Sequence, residues 1–238
     1  MDLSEIKNIF FDLDATLLGL PDEKLVSEYP KLIVKHFTDV LEPKTFFEYF
    51  WKGTNDMLKH SDYGTNVLTT FMNSFLKSSG MEFEDVYERF ENFYKTDFDQ
   101  VRIHVEELPI VPKLISKLKK MHIRLFLATN PVFPELATRK RVSWAKLDYD
   151  ADFEFCTNAQ NWNSVKPDLR YFNDLLTRFN LAARTTLMVG NDYITDGSAS
   201  KVGIKTWITT EYTSNYEMKD LVNIDFEGSL EDLFEIFD

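Results

Sequence analysis

The sequence predicts an α/β fold: a Rossmann-like parallel sheet with helices on both faces, plus an inserted all-α segment. Three observations point there. Short apolar runs, typical of strands buried on both faces, recur at residues 9–11, 123–128, 153–157, 186–189 and 205–209. Stretches of helical period separate most of them, and such strand–helix alternation requires parallel crossovers. From Glu23 to about Asp99 the alternation lapses and only helical spacing remains.

The first strand, Ile9-Phe10-Phe11, runs at once into Asp12, Leu13, Asp14 and Thr16. Gly19-Leu20-Pro21-Asp22 is a turn that can also open a helix. Leu25, Tyr29, Leu32, Ile33, His36, Phe37 and Val40 then recur at helical spacing, and Pro30 should kink that helix or restart it. Pro43 opens a second helix to about Lys59, with Phe46, Phe47, Phe50, Trp51 and Leu58 as its apolar set. Its Phe and Trp residues read mostly as bundle core, and a bend at Gly53 is the lesser alternative. Ser61-Asp62-Tyr63-Gly64 breaks the chain. A third helix spans about Thr65 to Lys77, with Gly80 as its C-cap, and a fourth about Phe83 to Phe98. Four amphipathic helices in a row read as an inserted bundle over residues 20–105, leaving 1–19 and 106–238 as the α/β core. In that core, helices are expected at about 109–121, 134–147, 167–179, 195–202 and 229–237.

Composition narrows the function classes. Acidic residues outnumber basic ones 39 to 27 over 238 residues, a net charge of -12, which disfavours a nucleic-acid partner. Arg139-Lys140-Arg141 reads as a solvated helix face. The four histidines share no metal-like spacing. Cys156 is the only cysteine, so no intrachain disulfide forms, and it is expected to pack as a small apolar residue. No leader or bilayer-length apolar run is evident, so a soluble, cytoplasmic chain without a membrane partner is expected. Oligomeric state is left open.

In a parallel sheet, ligands bind beyond the carboxyl ends of the strands, where the strand order switches. Those ends carry Asp12 and Asp14, then Thr129 and Asn130, then Asn191 and Asp192 with Asp196 just beyond, while Lys166-Pro167 opens a helix. Close carboxylates push each other's pKa apart, which suits a nucleophile beside a general acid. The plain structural alternatives are an N-cap and a turn Asp after a strand, and Thr129 as a helix cap. Several acids at one rim call for a hard cation, and oxygen ligands without His or Cys favour Mg²⁺.

Four segments, in order, resemble the motifs of the haloacid dehalogenase superfamily of aspartate-nucleophile hydrolases. They are Phe10-Phe11-Asp12-Leu13-Asp14-Ala15-Thr16, Leu127-Ala128-Thr129-Asn130, Lys166-Pro167, and Val189-Gly190-Asn191-Asp192 with Asp196. The helical insertion resembles that family's C1 cap. The resemblance implies a Mg²⁺-dependent phosphatase that hydrolyses a small phosphorylated metabolite, a phosphate monoester, through an aspartyl-phosphate. It implies Asp12 as nucleophile and Asp14 as acid and then base. It implies Thr129, Asn130 and Lys166 on the phosphoryl oxygens. Mg²⁺ would sit on Asp12, the Asp14 carbonyl and either Asn191 or Asp192; charge favours Asp192. Asp196 would orient Lys166 or a metal-bound water. Asp14 argues against a dehalogenase, since family dehalogenases lack it. Two departures stand out. Ala15 replaces a usual Gly, implying an ordinary backbone or mild strain. Asn191 stands where many members carry Asp. They leave an alternative open, a non-catalytic phosphate-binding or regulatory protein that kept the fold.

Overall fold

A computed structural model describes residues 3–60 and 62–237; Ser61, in the expected chain break, lies outside them. The strands are β1 (Asn8–Phe11), β2 (Arg124–Leu127), β3 (Phe155–Cys156), β4 (Thr186–Gly190), β5 (Lys205–Thr209) and β6 (Phe226–Gly228). They pair in parallel in the order β3-β2-β1-β4-β5-β6. Strand order therefore reverses at β1, so the crevice beyond its carboxyl end is the place where such sheets bind ligands.

The helices are α1 (Asp22–Ile33), α2 (Pro43–Leu58), α3 (Val67–Ser79), α4 (Phe83–Thr96), α5 (Ile110–Lys120), α6 (Glu135–Trp144), α7 (Leu169–Arg178) and α8 (Leu230–Ile236). The period of two sorts the sheet's side chains. Ile9, Phe11, Leu125, Leu127, Leu187 and Val189 face a large core with α5, α6 and α8. Phe10, Phe126 and Met188 face the opposite layer, filled by Tyr171, Phe172 and Leu175 of α7. Every residue of β1 is buried, because both layers cover it.

α1 to α4 follow β1 without an intervening strand. Their interior is aromatic: the ring of Phe37 lies 4.8 Å from Phe46 and 5.0 Å from Phe90, and Phe75 lies 5.5 Å from Phe90. Tyr29 meets Phe133 at 5.3 Å and Phe98 meets Trp144 at 5.2 Å, joining this helical layer to α6 and its leading loop. The chain enters and leaves the layer side by side, Glu106 N–H donating to the Gly19 carbonyl at 2.7 Å. A Cβ on Gly19 would lie 2.4 Å from the Glu106 carbonyl oxygen, so only glycine allows that approach.

Several local expectations are corrected. α1 continues through Pro30, so no new helix starts there, and a 3-10 turn follows at Val34–His36. α2 is unbroken at Gly53, and a Cβ there would sit 3.0 Å from the Phe71 ring. Gly53 therefore sets the close packing of α2 on α3. The segment after Thr195 is a 3-10 turn, Gly197–Val202. β6 escaped the sequence pattern because it is only three residues long and exposes Glu227. Gly80 does cap α3, at φ 68°. Cys156 is buried, and burial pushes its thiol well above the usual range. No described helix is long and apolar enough to cross a membrane.

Candidate active site

Asp12 follows the last residue of β1, and its N–H donates to the Val189 carbonyl of β4 at 2.9 Å. Its Oδ1 accepts from Lys166 Nζ at 2.8 Å, and the same ammonium donates to Asp196 Oδ1 at 2.5 Å. Residues 154 and 30 positions from Lys166 thus meet on one buried cation. Burial works against the charge on Lys166, but Asp12 and Asp196 outweigh it and hold the ammonium far above its usual range. Burial also pushes the Asp12 carboxyl up; Lys166 pulls it back, and the negative Asp196 and Asp14 push it further. Of the two partners expected for Asp196, Lys166 or a metal-bound water, Lys166 is the one it contacts here.

Asp196 is held by the turn it ends. Its Oδ2 accepts the N–H groups of Asn191 and Asp192, both at 3.1 Å. A Cβ on Gly190 would lie 2.2 Å from that oxygen. Gly190→Ala is therefore expected to expel Asp196 from its seat and destabilise the fold by roughly 3 kcal/mol, seen in a thermal melt.

Lys166 is fixed from a second side, since its N–H donates to Asn130 Oδ1 at 3.1 Å. Thr129 is buried beside it, and its carbonyl accepts the hydroxyls of Thr157 and Tyr171 at 2.7 and 2.8 Å. Thr129 does not cap α6, whose N-cap is Pro134.

Asp14 has a partner that sequence reasoning missed. Its Oδ2 accepts from Arg141 of α6. Arg141 is 1% exposed and lies 4.2 Å from the Phe133 ring centre. The basic run at 139–141 is therefore no solvated face, since its last residue is core. A signal existed: Arg141 falls four positions after buried Ala137 and one before buried Val142, on the inward side of the helix. The Asp14 carboxyl is also pushed up by burial, with Arg141 and then Lys166 opposing. Its Oδ1 is buried with no protein hydrogen-bond partner.

Ala15 has φ 56°, in the left-handed region, and is buried. Of the two expectations, an ordinary backbone or mild strain, the second holds, at a position suited to glycine. Ala15→Gly is expected to stabilise the protein by about 0.5–1 kcal/mol, read as a higher denaturant midpoint.

The two candidates of the fourth motif point differently. Asn191 Oδ1 accepts the Thr16 hydroxyl at 3.4 Å, next to the Asp12 loop, while its Nδ2 donates to the Tyr212 carbonyl at 2.9 Å. Asp192, favoured on charge, turns to its own loop. Its Oδ1 accepts the N–H groups of Ile194 and Thr195 at 2.7 and 2.8 Å, and its Oδ2 accepts from Asn215 at 2.6 Å. Among the described residues no three His, Cys, Asp or Glu side chains converge as a metal cluster. The chemistry still suits a hard cation. Of the four carboxylates Asp12, Asp14, Asp192 and Asp196, the first two and the last share ion pairs with two cations, Lys166 and Arg141, among the described residues. One buried carboxylate oxygen has no partner, and Asn191 offers a neutral oxygen nearby.

These groups form one end of a cavity of about 850 Å³ that also reaches α1, α2, α3 and α4. The comparisons agree with this architecture. Over its whole length the chain is similar in structure to a predicted phosphoglycolate phosphatase from Haemophilus somnus 129PT, at 18% identity, a TM-score of 0.61 and 100% coverage of both chains. It is also similar to a 2-haloacid dehalogenase from Pseudomonas syringae pv. tomato DC3000, at 19% identity, a TM-score of 0.65 and 97% coverage of each chain. A HAD phosphatase from Thermococcus onnurineus gives 20% identity, a TM-score of 0.59 and 97% coverage of each. No curated protein matches in sequence. At these identities the neighbours speak for the fold. The family model of haloacid dehalogenase-like hydrolases matches residues 9–209, and the chain belongs to that family.

Proposed function

We propose that this hydrolase is a Mg²⁺-dependent phosphomonoesterase whose nucleophile is Asp12. The observation that carries the reading is the carboxylate pair at the end of β1, with Asp12 bonded to a buried lysine and Asp14 bearing an unpartnered oxygen. Asp12 attacks phosphorus in line, the bond from phosphorus to the ester oxygen breaks, and Asp14 gives its proton to the departing alcohol. Asp14 then takes a proton from water as that water attacks the aspartyl-phosphate, which releases inorganic phosphate and restores Asp12. Lys166 offsets phosphoryl charge, with Thr129 and Asn130 beside it. Asp12, the Asp14 main-chain carbonyl and Asn191 would hold Mg²⁺, with Asp192 supporting the turn. When bound, the ion supplies charge that lets two anions approach. Residues 20–105 act as the cap that keeps water from the intermediate, and the chain works in the cytoplasm.

The reading without turnover draws on Ala15 and Asn191, and the Arg141 clamp on Asp14 adds to it, because a carboxylate paired with a guanidinium takes up the proton it must donate less readily. Hydrolysis of p-nitrophenyl phosphate with and without Mg²⁺ decides between them. Metal-dependent release of nitrophenol supports the enzyme; phosphate binding without release of nitrophenol supports the binding protein.

A further inference from the structure

We infer that the substrate's organic part is a bulky apolar group, so that the cavity takes the phosphate ester of an apolar alcohol and not of a sugar. This rests on the phosphatase reading and specifies the substrate of the same site. The cavity, about 850 Å³, is far larger than a phosphoryl group needs and falls in the range that encloses drug-sized ligands. Most of its polar groups belong to the α/β part of the chain, Gln160 and the paired Glu135 and Arg139 among them. Asp12, Thr129, Lys166 and Asn191 lie at the sheet edge, while Leu25, Phe50, Met57, Leu68, Phe71 and Met72 line the helical side.

The polar atoms on that helical side are largely turned on one another. The hydroxyls of Tyr29 and Tyr94 bond each other at 2.7 Å. Thr54 Oγ1 donates to the Phe50 carbonyl at 2.9 Å, and Lys95 pairs with Glu91 at 2.7 Å. A sugar placed there would give up its hydrogen bonds to water and find few replacements. The rim continues the pattern. Val26, Trp51 and Leu58 are 54%, 37% and 45% exposed, and all three line this cavity. Large apolar side chains gathered around an opening mark a binding surface. An amphiphile with a phosphate head matches both ends of the cavity.

The test is a series of n-alkyl phosphates from ethyl to octyl, kept below micellar concentrations, with glucose 6-phosphate as the polar comparison. The leaving alcohols barely differ in basicity, so the slope of kcat/KM with chain length reports the wall. A rise of about 3- to 4-fold per methylene is expected, from ~0.8 kcal/mol for each buried CH₂. Octyl phosphate should exceed glucose 6-phosphate by at least roughly 100-fold. Trp51→Ala should flatten the slope. A flat series, or a preference for the sugar ester, overturns the inference while turnover of p-nitrophenyl phosphate keeps the phosphatase reading standing. If no ester turns over, that reading falls. The inference is then judged by calorimetry with methylphosphonate and octylphosphonate: much tighter binding of the octyl compound upholds an apolar ligand, and equal binding overturns it.

Discussion

Asp12→Asn is expected to abolish hydrolysis of p-nitrophenyl phosphate, lowering kcat by roughly 10⁴-fold or more, as loss of an enzyme's nucleophile does. The amide is nearly isosteric and its oxygen is a poor nucleophile. The same change should leave the metal-free protein folded and more stable than the wild type. Burial disfavours the Asp12 charge, and Asp196 and Asp14 add to the penalty beyond what Lys166 returns. A neutral amide removes that penalty, and Lys166 keeps Asp196 as partner. The sign in pH follows. A carboxyl whose folded pKa lies above its unfolded one stabilises the fold fully below the unfolded value, and that contribution is lost as pH rises through the folded value. The stability of metal-free wild type relative to the variant should therefore fall from acid towards neutral pH, in urea titrations of both at several pH values. Full activity in Asp12→Asn would remove Asp12 from the mechanism.

Lys166→Met should be the most damaging single change to the fold among the site residues. It keeps the aliphatic volume and deletes the ammonium that two buried carboxylates share. Breaking a buried pair costs about 3–5 kcal/mol, because the charge left behind has lost its water and its partner. Here two carboxylates are left, so the upper part of that range is expected, with a melting temperature lower by about 10 °C and an unchanged denaturant m-value. Turnover should fall with it. A midpoint within about 0.5 kcal/mol of wild type would mean that Asp12 and Asp196 do not depend on this lysine.

Much of the architecture was legible from residue pattern. The apolar runs at residues 9–11, 186–189 and 205–209 are strands because side chains facing both layers must be apolar, and the sheet bears that out. The helical insertion was legible for the opposite reason, an unbroken stretch of helical spacing where alternation should have continued. Asp12, Asp196 and Lys166 were brought together in expectation by motif order, and the structure joins them through two short hydrogen bonds. Arg141 was only faintly legible as a core residue, through its place beside Ala137 and Val142 on α6. Charge is a strong sign of exposure, and only the tertiary fold reveals that a carboxylate 127 positions away neutralises it. The left-handed turn at Ala15 was half visible: the usual Gly it replaces pointed to mild strain, but alanine rarely adopts that conformation. The partners of Asp192 were hidden too, since a turn's hydrogen bonds depend on backbone direction and leave no mark in residue type.

Cys156, the chain's single thiol, is 3% exposed, and its S–H donates to the Tyr149 carbonyl at 3.6 Å. Alkylating reagents consume thiolate, and this thiol is held in its protonated form by burial. The native chain should therefore resist maleimides while folded. A cysteine introduced at exposed Val26 would become the sole labelling handle, and a fluorophore there would watch the cavity mouth during turnover without any prior removal of native cysteine.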